Sequence, residues 1–405
     1  MACPIKWAQV CRIISKPSSF LGVIICTAAL CSIGSHASTS LPSIFPAKVF
    51  RARPGPMAVA TSSTVLACGN SRCEPSGRVT VIKFRFGLFA LAVCFLLEEN
   101  KNELKYFFLS LCLVLLVLFF DSVFQKIFGI NLIGIKMHHA IRVSSFFADE
   151  LILGSYIIKI LPITLSFLYF LYGDRGDKYS IIFILIALVL VLLSAEKASF
   201  FMIILFSLLF FPTLNFSKKL KGFIIFIFFL IIGSVILLNK PIQKRLYHQL
   251  ISQSGGGKYM YSRVHHSHFK TAYKMFLDKP LFGHGPKMYR FKCSDKKYME
   301  DQFACSTHPH NYILQILAET GIVGVLFLFL LYINIFIVFI KNLKISKLFK
   351  KFSYTEYIIA SSLLVIFFPL ATSGSIFNNW TSCVNFLTIG ILMYFIQSNK
   401  KKRLP

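Results

Sequence analysis

The chain has 405 residues, 56% of them hydrophobic, with 44 phenylalanines and a formal charge of +28. A mean hydropathy of +0.67 is that of a multispanning membrane protein and excludes a string of soluble domains. The charge is not a nucleic-acid signal, because no reader motif accompanies it. It collects in clusters beside apolar runs, as the positive-inside rule requires.

Residues 1–80 differ from the rest. They are rich in Ser, Pro and Ala and hold six of the eleven cysteines. Lys6, Arg12 and Lys16 precede an apolar stretch at 20–33, and Ser35-His36-Ala37 could be a cleavage site. A signal-like segment therefore competes with a disordered or non-native leader that has no part in function. Cys68 and Cys73 are too weakly spaced to indicate a metal site or a disulfide. The apolar stretch 86–97 is short for a span.

Beyond residue 100, apolar runs of about 15 to 20 residues recur at 106–120, 151–172, 179–194, 199–212, 223–239, 321–340, 357–371 and 383–396. Backbone in lipid must satisfy itself, and no period-2 barrel pattern is present, so the runs are expected to be helices. The expected fold is an all-α polytopic membrane protein of about 8–10 transmembrane helices with one large extracytoplasmic loop. Its parts are a leader (1–80), N-terminal spans (81–239), the loop (240–320), and C-terminal spans with a basic tail (321–405). Lys218, Lys219 and Lys221, then Lys341, Lys344, Lys347, Lys350 and Lys351, then Lys400-Lys401-Lys402-Arg403 all fit one side, the cytoplasm. Segments 121–150, 195–198, 240–320 and 372–382 then share the opposite side.

Those outer segments hold the chemistry. Asp121 and Gln125 lead into Arg142, Asp149 and Glu150, which have structural and functional readings of equal weight. Glu196 and Lys197 form an adjacent acid–base pair in a tiny turn between two spans, where charge is costly unless it is used. The alternative for Lys197 is a snorkelling side chain. In the large loop, Lys240, Lys244 and Arg245 precede the hinge Ser254-Gly-Gly-Gly257, and residues 263–276 have the period of an amphipathic helix. That helix should stop at Asp278-Lys279-Pro280, before a tight turn at Gly283-His-Gly285-Pro286. Cys293 and Cys305 would form a disulfide in an oxidising compartment, closing about 13 residues for roughly 3 kcal/mol; two free thiols are the alternative.

Seven histidines lie in the loop: His248, His265, His266, His268, His284, His308 and His310. Two His-x-His pairs could suit zinc, but carboxylates are few and lysines many, so no metal is expected. His310 stands apart. It opens His310-Asn311, nine residues, Gly321-Ile-Val-Gly324, at the point where the loop re-enters an apolar helix. An imidazole there can take and return a proton near neutral pH, about three helical turns from what reads as a tight glycine-mediated helix contact.

That spacing resembles the His-Asn/Ser/Gln-x9-Gly-x-x-Gly signature of the O-antigen ligase and polymerase family, bacterial membrane glycosyltransferases. Asp278-Lys-Pro-Leu-Phe-Gly283-His-Gly285-Pro286 resembles the element that precedes the signature. Gln125 through Gly129, Arg142 through Glu150 and Thr372 through Trp380 also resemble family segments, so the likeness covers about residues 105–397. It implies a polyprenyl-pyrophosphate-linked glycan as donor and a lipid A-core sugar as acceptor, with no cofactor. A polymerase extending a carrier-linked glycan, or a protein O-oligosaccharyltransferase, is the alternative within the family. Outside it stand a transporter, which would need charges buried in its spans, and an inactive chain. The resemblance makes His310 the base and Arg263 the loop arginine that holds pyrophosphate, with Asn311, Gly321, Gly324 and Arg142 in support. Lys197 takes the place of an arginine, keeping charge but losing the bidentate fork. Members have more spans before Gln125, so the N-terminal part is expected to be truncated or replaced. The implied setting is the bacterial inner membrane, the protein embedded among membrane lipids, with the active site facing the periplasm.

Overall fold

The structure, a computed structural model, describes residues 76–139, 141–245, 252, 259, 261–342 and 353–401, with the side chains of 76–84 and 401 left aside. Residues 1–82 and 83–405 form separate units, and the second carries the large loop and every helix from Leu104 onward. The leader's cysteines, His248, the glycine hinge and most of the 341–351 lysines lie outside the described residues.

Helices form wherever apolar runs are long enough. They are α1 (Ser76–Glu99), α2 (Leu104–Phe128), α3 (Leu153–Tyr172), α4 (Gly176–Ser194), α5 (Lys197–Phe210) and α6 (Lys218–Leu238). The loop contributes α7 (Arg263–Asp278), and the C-terminal part α8 (Tyr312–Lys341), α9 (Tyr354–Ile366) and α10 (Asn379–Lys401). No strand occurs among the described residues, and five helical stretches are long and apolar enough to cross a membrane. One of these, Leu153–Ser194, is α3 and α4 joined by a turn at Gly173–Arg175. This is an all-α polytopic membrane protein.

α3 is the hub, packed against α2, α4, α5, α9 and α10. It is buried on every side from Ile157 to Tyr169, which an apolar helix achieves only inside a bundle. α6 and α8 are the opposite case. Phe223, Phe226, Leu237, Phe327 and Leu330 all stand exposed, as side chains facing lipid do.

Polar side chains are spent on fastening the connections at one end of the bundle. Gln125, fully buried, accepts from the backbone N–H groups of Ser144 (3.1 Å) and Ser145 (2.7 Å). Asp121 accepts from the Leu132 N–H (2.8 Å) and the Ser145 hydroxyl (2.5 Å). Together they pin the 130–148 connection, and hence Arg142, to the end of α2. The Val143 N–H then bonds to Leu193 O (3.1 Å), at the end of α4. The segments placed on a common side by lysine distribution alone are neighbours in space.

Candidate active site

The loop and the membrane helices are joined at a break in α8. Gly321 has φ 67° and ψ −163°, a conformation only glycine takes readily. A broken helix leaves carbonyls and N–H groups without partners. The segment after α7 supplies them. His284 N–H and Gly285 N–H donate to Ala318 O (3.0 Å) and Glu319 O (2.8 Å), while Ile322 N–H and Val323 N–H donate to Pro280 O (2.8 Å) and Leu281 O (3.3 Å). The buried Glu319 carboxylate also accepts from Lys287 N–H (2.7 Å) and Tyr289 N–H (3.0 Å). Gly321 is thus not a contact between two smooth helices, as its spacing suggested. It marks where backbone of the 280–281 segment crosses a helix gap. Gly324 lies against Thr320 and Ile316 of its own helix.

Above the break the loop has a small core of its own, with Ala272, Met275, Tyr289, Cys293, Tyr298 and Ala318 buried together. Cys293 and Cys305 are joined as a disulfide, with Cα atoms 5.1 Å apart. α7 contributes to the core by burying Ser267, His268, Thr271, Ala272 and Met275, the i, i+4, i+8 face of a helix.

His310 sits at the start of α8 in the left-handed region (φ 57°), rare for a residue with a side chain. Its backbone is held by Ser373 N–H, which donates to His310 O (2.9 Å), and its Nε2 lies 3.2 Å from Ser306 Oγ. Asn311 caps α8 by accepting from Leu314 N–H (3.1 Å) and ties the junction down by donating to Pro369 O (2.8 Å). Three other imidazoles surround the His310 ring, with centroids at 4.1 Å (His308), 5.3 Å (His268) and 5.4 Å (His265). Burial, then the neighbouring His308, His265 and His268, pulls the His310 pKa down to about 3. Burial likewise pulls His308 down to about 4, against the opposing Ser373 carbonyl. Among the described residues, no group of three or more His, Cys, Asp or Glu side chains is arranged to hold a metal ion.

Beside this cluster lies a cationic turn. Glu196 receives Gly154 N–H (2.9 Å), Ser155 N–H (3.0 Å), Ser155 Oγ (2.6 Å) and Ser199 Oγ (2.9 Å), so it caps the N-terminus of α3. Its ion pair is with Arg142 (3.6 Å), whose guanidinium also donates to Ser194 O (3.1 Å) and Leu151 O (2.7 Å). Arg245 donates to Ala195 O (2.9 Å). Lys197 lies within electrostatic reach of both Arg245 and His265, which links the turn to the histidines. Arg263 is placed differently. It stands 59% exposed, pairs with Asp301 (3.6 Å) and covers the Phe303 ring (5.4 Å). There it lines a cleft of about 310 Å³ with Tyr259, His266, Lys270 and Glu300, and His310 does not line that cleft.

Residues 181–329 match the family model described as O-antigen ligase. The match supports the O-antigen ligase and polymerase family for this segment. Comparison with curated proteins and with solved structures gives no match. The O-antigen ligase segment takes in the Glu196–Lys197 turn, the whole loop, His310 and both glycines of the signature. Arg142 and the 372–380 segment reach the same place from outside it.

Two residues are not legible as site residues in the sequence. Arg245 shows there only as a basic residue opening the loop, because nothing in its neighbourhood indicates that it returns to residue 195. Lys159 is a charge buried within a span, a feature that the runs of α3 conceal. It is 7% exposed, and its Nζ lies 4.4 Å from the Trp380 ring centroid.

The histidine cluster of the O-antigen ligase segment makes stability depend on pH. Unfolded histidine titrates near 6.5, whereas His308 and His310 titrate near 4 and 3 in the fold. The unfolded chain therefore binds more protons in the interval between. Stability is complete above about pH 6.5 and falls as pH drops toward about 3. Thermal unfolding in detergent should show a lower Tm at pH 4.5 than at pH 7.5. The His308→Asn/His310→Asn double variant should show a flatter profile, and equal slopes would refute the assignment.

Proposed function

We propose that this protein is an O-antigen ligase-type glycosyltransferase. It would move a glycan from undecaprenyl pyrophosphate to a lipid A-core acceptor at the periplasmic face of a bacterial inner membrane. The observation that carries the reading is the position of His310. A neutral imidazole is fixed at the loop–membrane junction, and His265, whose ring lies 5.4 Å from it, senses the charge of Lys197 in the cationic turn, which supports a base and an anion site in one region.

The chemistry balances without a covalent intermediate. The acceptor hydroxyl oxygen attacks the anomeric carbon, and the new C–O bond forms as the bond to the phosphate oxygen breaks. Polyprenyl pyrophosphate leaves with the bonding pair, and the configuration inverts. The hydroxyl proton passes to His310 and from there to solvent. Burial and the neighbouring imidazoles alone make His310 a weak base. The donor's negative charge favours the imidazolium, so donor binding raises its pKa toward working pH. Charge on the leaving group is met by the guanidinium and ammonium groups already in place. Arg263 can join them when phosphate replaces Asp301 as its partner.

The test is complementation of ligase-null and polymerase-null strains, read as the lipopolysaccharide ladder. Restoration of the ligase-null strain alone is the expected outcome; restoration of the polymerase-null strain alone would replace this reading with chain extension. Transfer in purified form should be unaffected by EDTA, since the positive charge comes from side chains. An EDTA-sensitive rate restored by a divalent cation would overturn that part.

A further inference from the structure

Among the described residues, Lys159 is the only lysine or arginine that is buried. It lies six residues inside α3, about 9 Å along the axis from Leu153. An ammonium in such a place is costly unless an anion meets it. Contact with an aromatic face offsets only part of that cost. No carboxylate among the described residues lies within ion-pair distance of its Nζ.

Glu196 is the carboxylate whose charge Lys159 senses, but its oxygens are taken by two backbone N–H groups, two hydroxyls and Arg142. Among the described residues, Arg142 pairs with Glu196, Arg245 bonds to the neighbouring Ala195 O and Lys159 senses the Glu196 charge, so cations outnumber the carboxylate at this turn. The excess points to an anionic ligand. Its position relative to the histidines is set by the 373–380 segment. Ser373 bonds to His310 O through its N–H and lies 3.2 Å from His308 Nε2 through its carbonyl, and seven residues on Trp380 covers the Lys159 ammonium. An acceptor hydroxyl brings no charge to this depth; a phosphate attached to a lipid does.

We infer that Lys159 binds a lipid-borne phosphate, namely the phosphate of the donor's pyrophosphate nearest the polyprenyl chain, with Trp380 as the wall beside it. This rests on the reading of the site as one that takes a polyprenyl-pyrophosphate donor. It adds a contact from within the membrane bundle to those made by the outer turns.

Trp380 gives the readout. The chain has two tryptophans, so a Trp7→Phe background leaves Trp380 as the single reporter. The full chain in phosphatidylcholine nanodiscs is titrated with undecaprenyl pyrophosphate, and in a second arm with phosphatidylglycerol. The expected result is a saturable change in Trp380 emission with the pyrophosphate alone. Lys159→Met should weaken that binding roughly tenfold or more, and Lys159→Arg less. In the transfer assay Lys159→Met should raise donor KM by a similar factor with kcat little changed. Wild-type affinity in Lys159→Met, no response of the parent, or an equal response to phosphatidylglycerol overturns the inference. If Lys159→Met does not fold, the parent's response to the two lipids still decides. Carrier binding that depends on Lys159 in a chain that transfers nothing would support the lysine and sink the transfer reaction. Transfer at wild-type KM in Lys159→Met would do the reverse.

Discussion

Replacing His310 by alanine is expected to lower glycan transfer by about 10²–10⁴-fold, the range for loss of a positioned general base. The fold should survive, because among the described residues the side chain's hydrogen-bonding contact is with Ser306 (3.2 Å) and the junction is held by backbone and by Asn311. A base acts on kcat, so donor KM should change little. His308 is the informative comparison. It sits 4.1 Å from the same ring, but its nitrogens are engaged with Thr307 Oγ1 (2.9 Å) and Ser373 O (3.2 Å). His308→Ala should therefore cost roughly tenfold or less, through displacement of its neighbour. Full activity in His310→Ala, or equal losses in both variants, would remove His310 as the base. The measurement is transfer from a purified lipid-linked donor, with Tm recorded for each variant.

Much of the architecture was legible because lipid restricts what a chain can do. Each apolar run beyond residue 100 falls on a helix, and the amphipathic period of residues 263–276 falls on α7. The lysine clusters sorted the connections into two groups, and the group holding Arg142, Glu196, His310 and Ser373 is contiguous in space. Three things could not be read. Glu196 and Lys197 are adjacent in sequence, yet Glu196 turns to Arg142 and the α3 N-terminus, a partnership 54 residues away that no local pattern encodes. Lys159 was hidden because one lysine in a long run barely lowers its hydropathy, while three-dimensional packing decides whether it snorkels or stays inside. The role of Gly321 was mistaken because Gly-x-x-Gly spacing fits a smooth close-packed helix as well as a helix break. The difference is a pair of dihedral angles, set by the Pro280–Leu281 backbone that lies against it.

That difference predicts unequal outcomes for the two glycines of the signature. A Cβ at Gly321 would overlap the carbonyl of Leu281 and approach Pro280 O to 2.6 Å, and both obstacles are backbone. The residue also holds φ 67°, ψ −163°, which costs a non-glycine residue about 1–3 kcal/mol by itself. Relief means pulling the 280–281 segment away from the helix gap, which breaks the bonds from Ile322 N–H (2.8 Å) and Val323 N–H (3.3 Å) at the membrane boundary. Each buried group left unpaired adds about 1–3 kcal/mol. Gly321→Ala should thus lose on the order of 3–5 kcal/mol, lower Tm sharply and expose residues 279–289 to protease. At Gly324 the obstacles are side chains of its own helix, Thr320 Oγ1 and Cβ (2.7 Å) and Ile316 Cγ2 (3.0 Å), and turning Thr320 about χ1 moves only the hydroxyl, at the cost of its bond to Ile316 O (2.8 Å). Gly324→Ala should lower Tm, but by less than Gly321→Ala, because no backbone crossing and no positive φ are involved. The same break fixes where His310 sits, since the short helical stretch from Tyr312 to the gap is held at one end by Asn311 and at the other by the 280–285 backbone. Gly321→Ala should therefore abolish transfer even in the fraction that remains folded. If the two alanine variants unfold alike, the crossing of the 280–281 backbone over the helix gap is wrong, and with it the placement of His310.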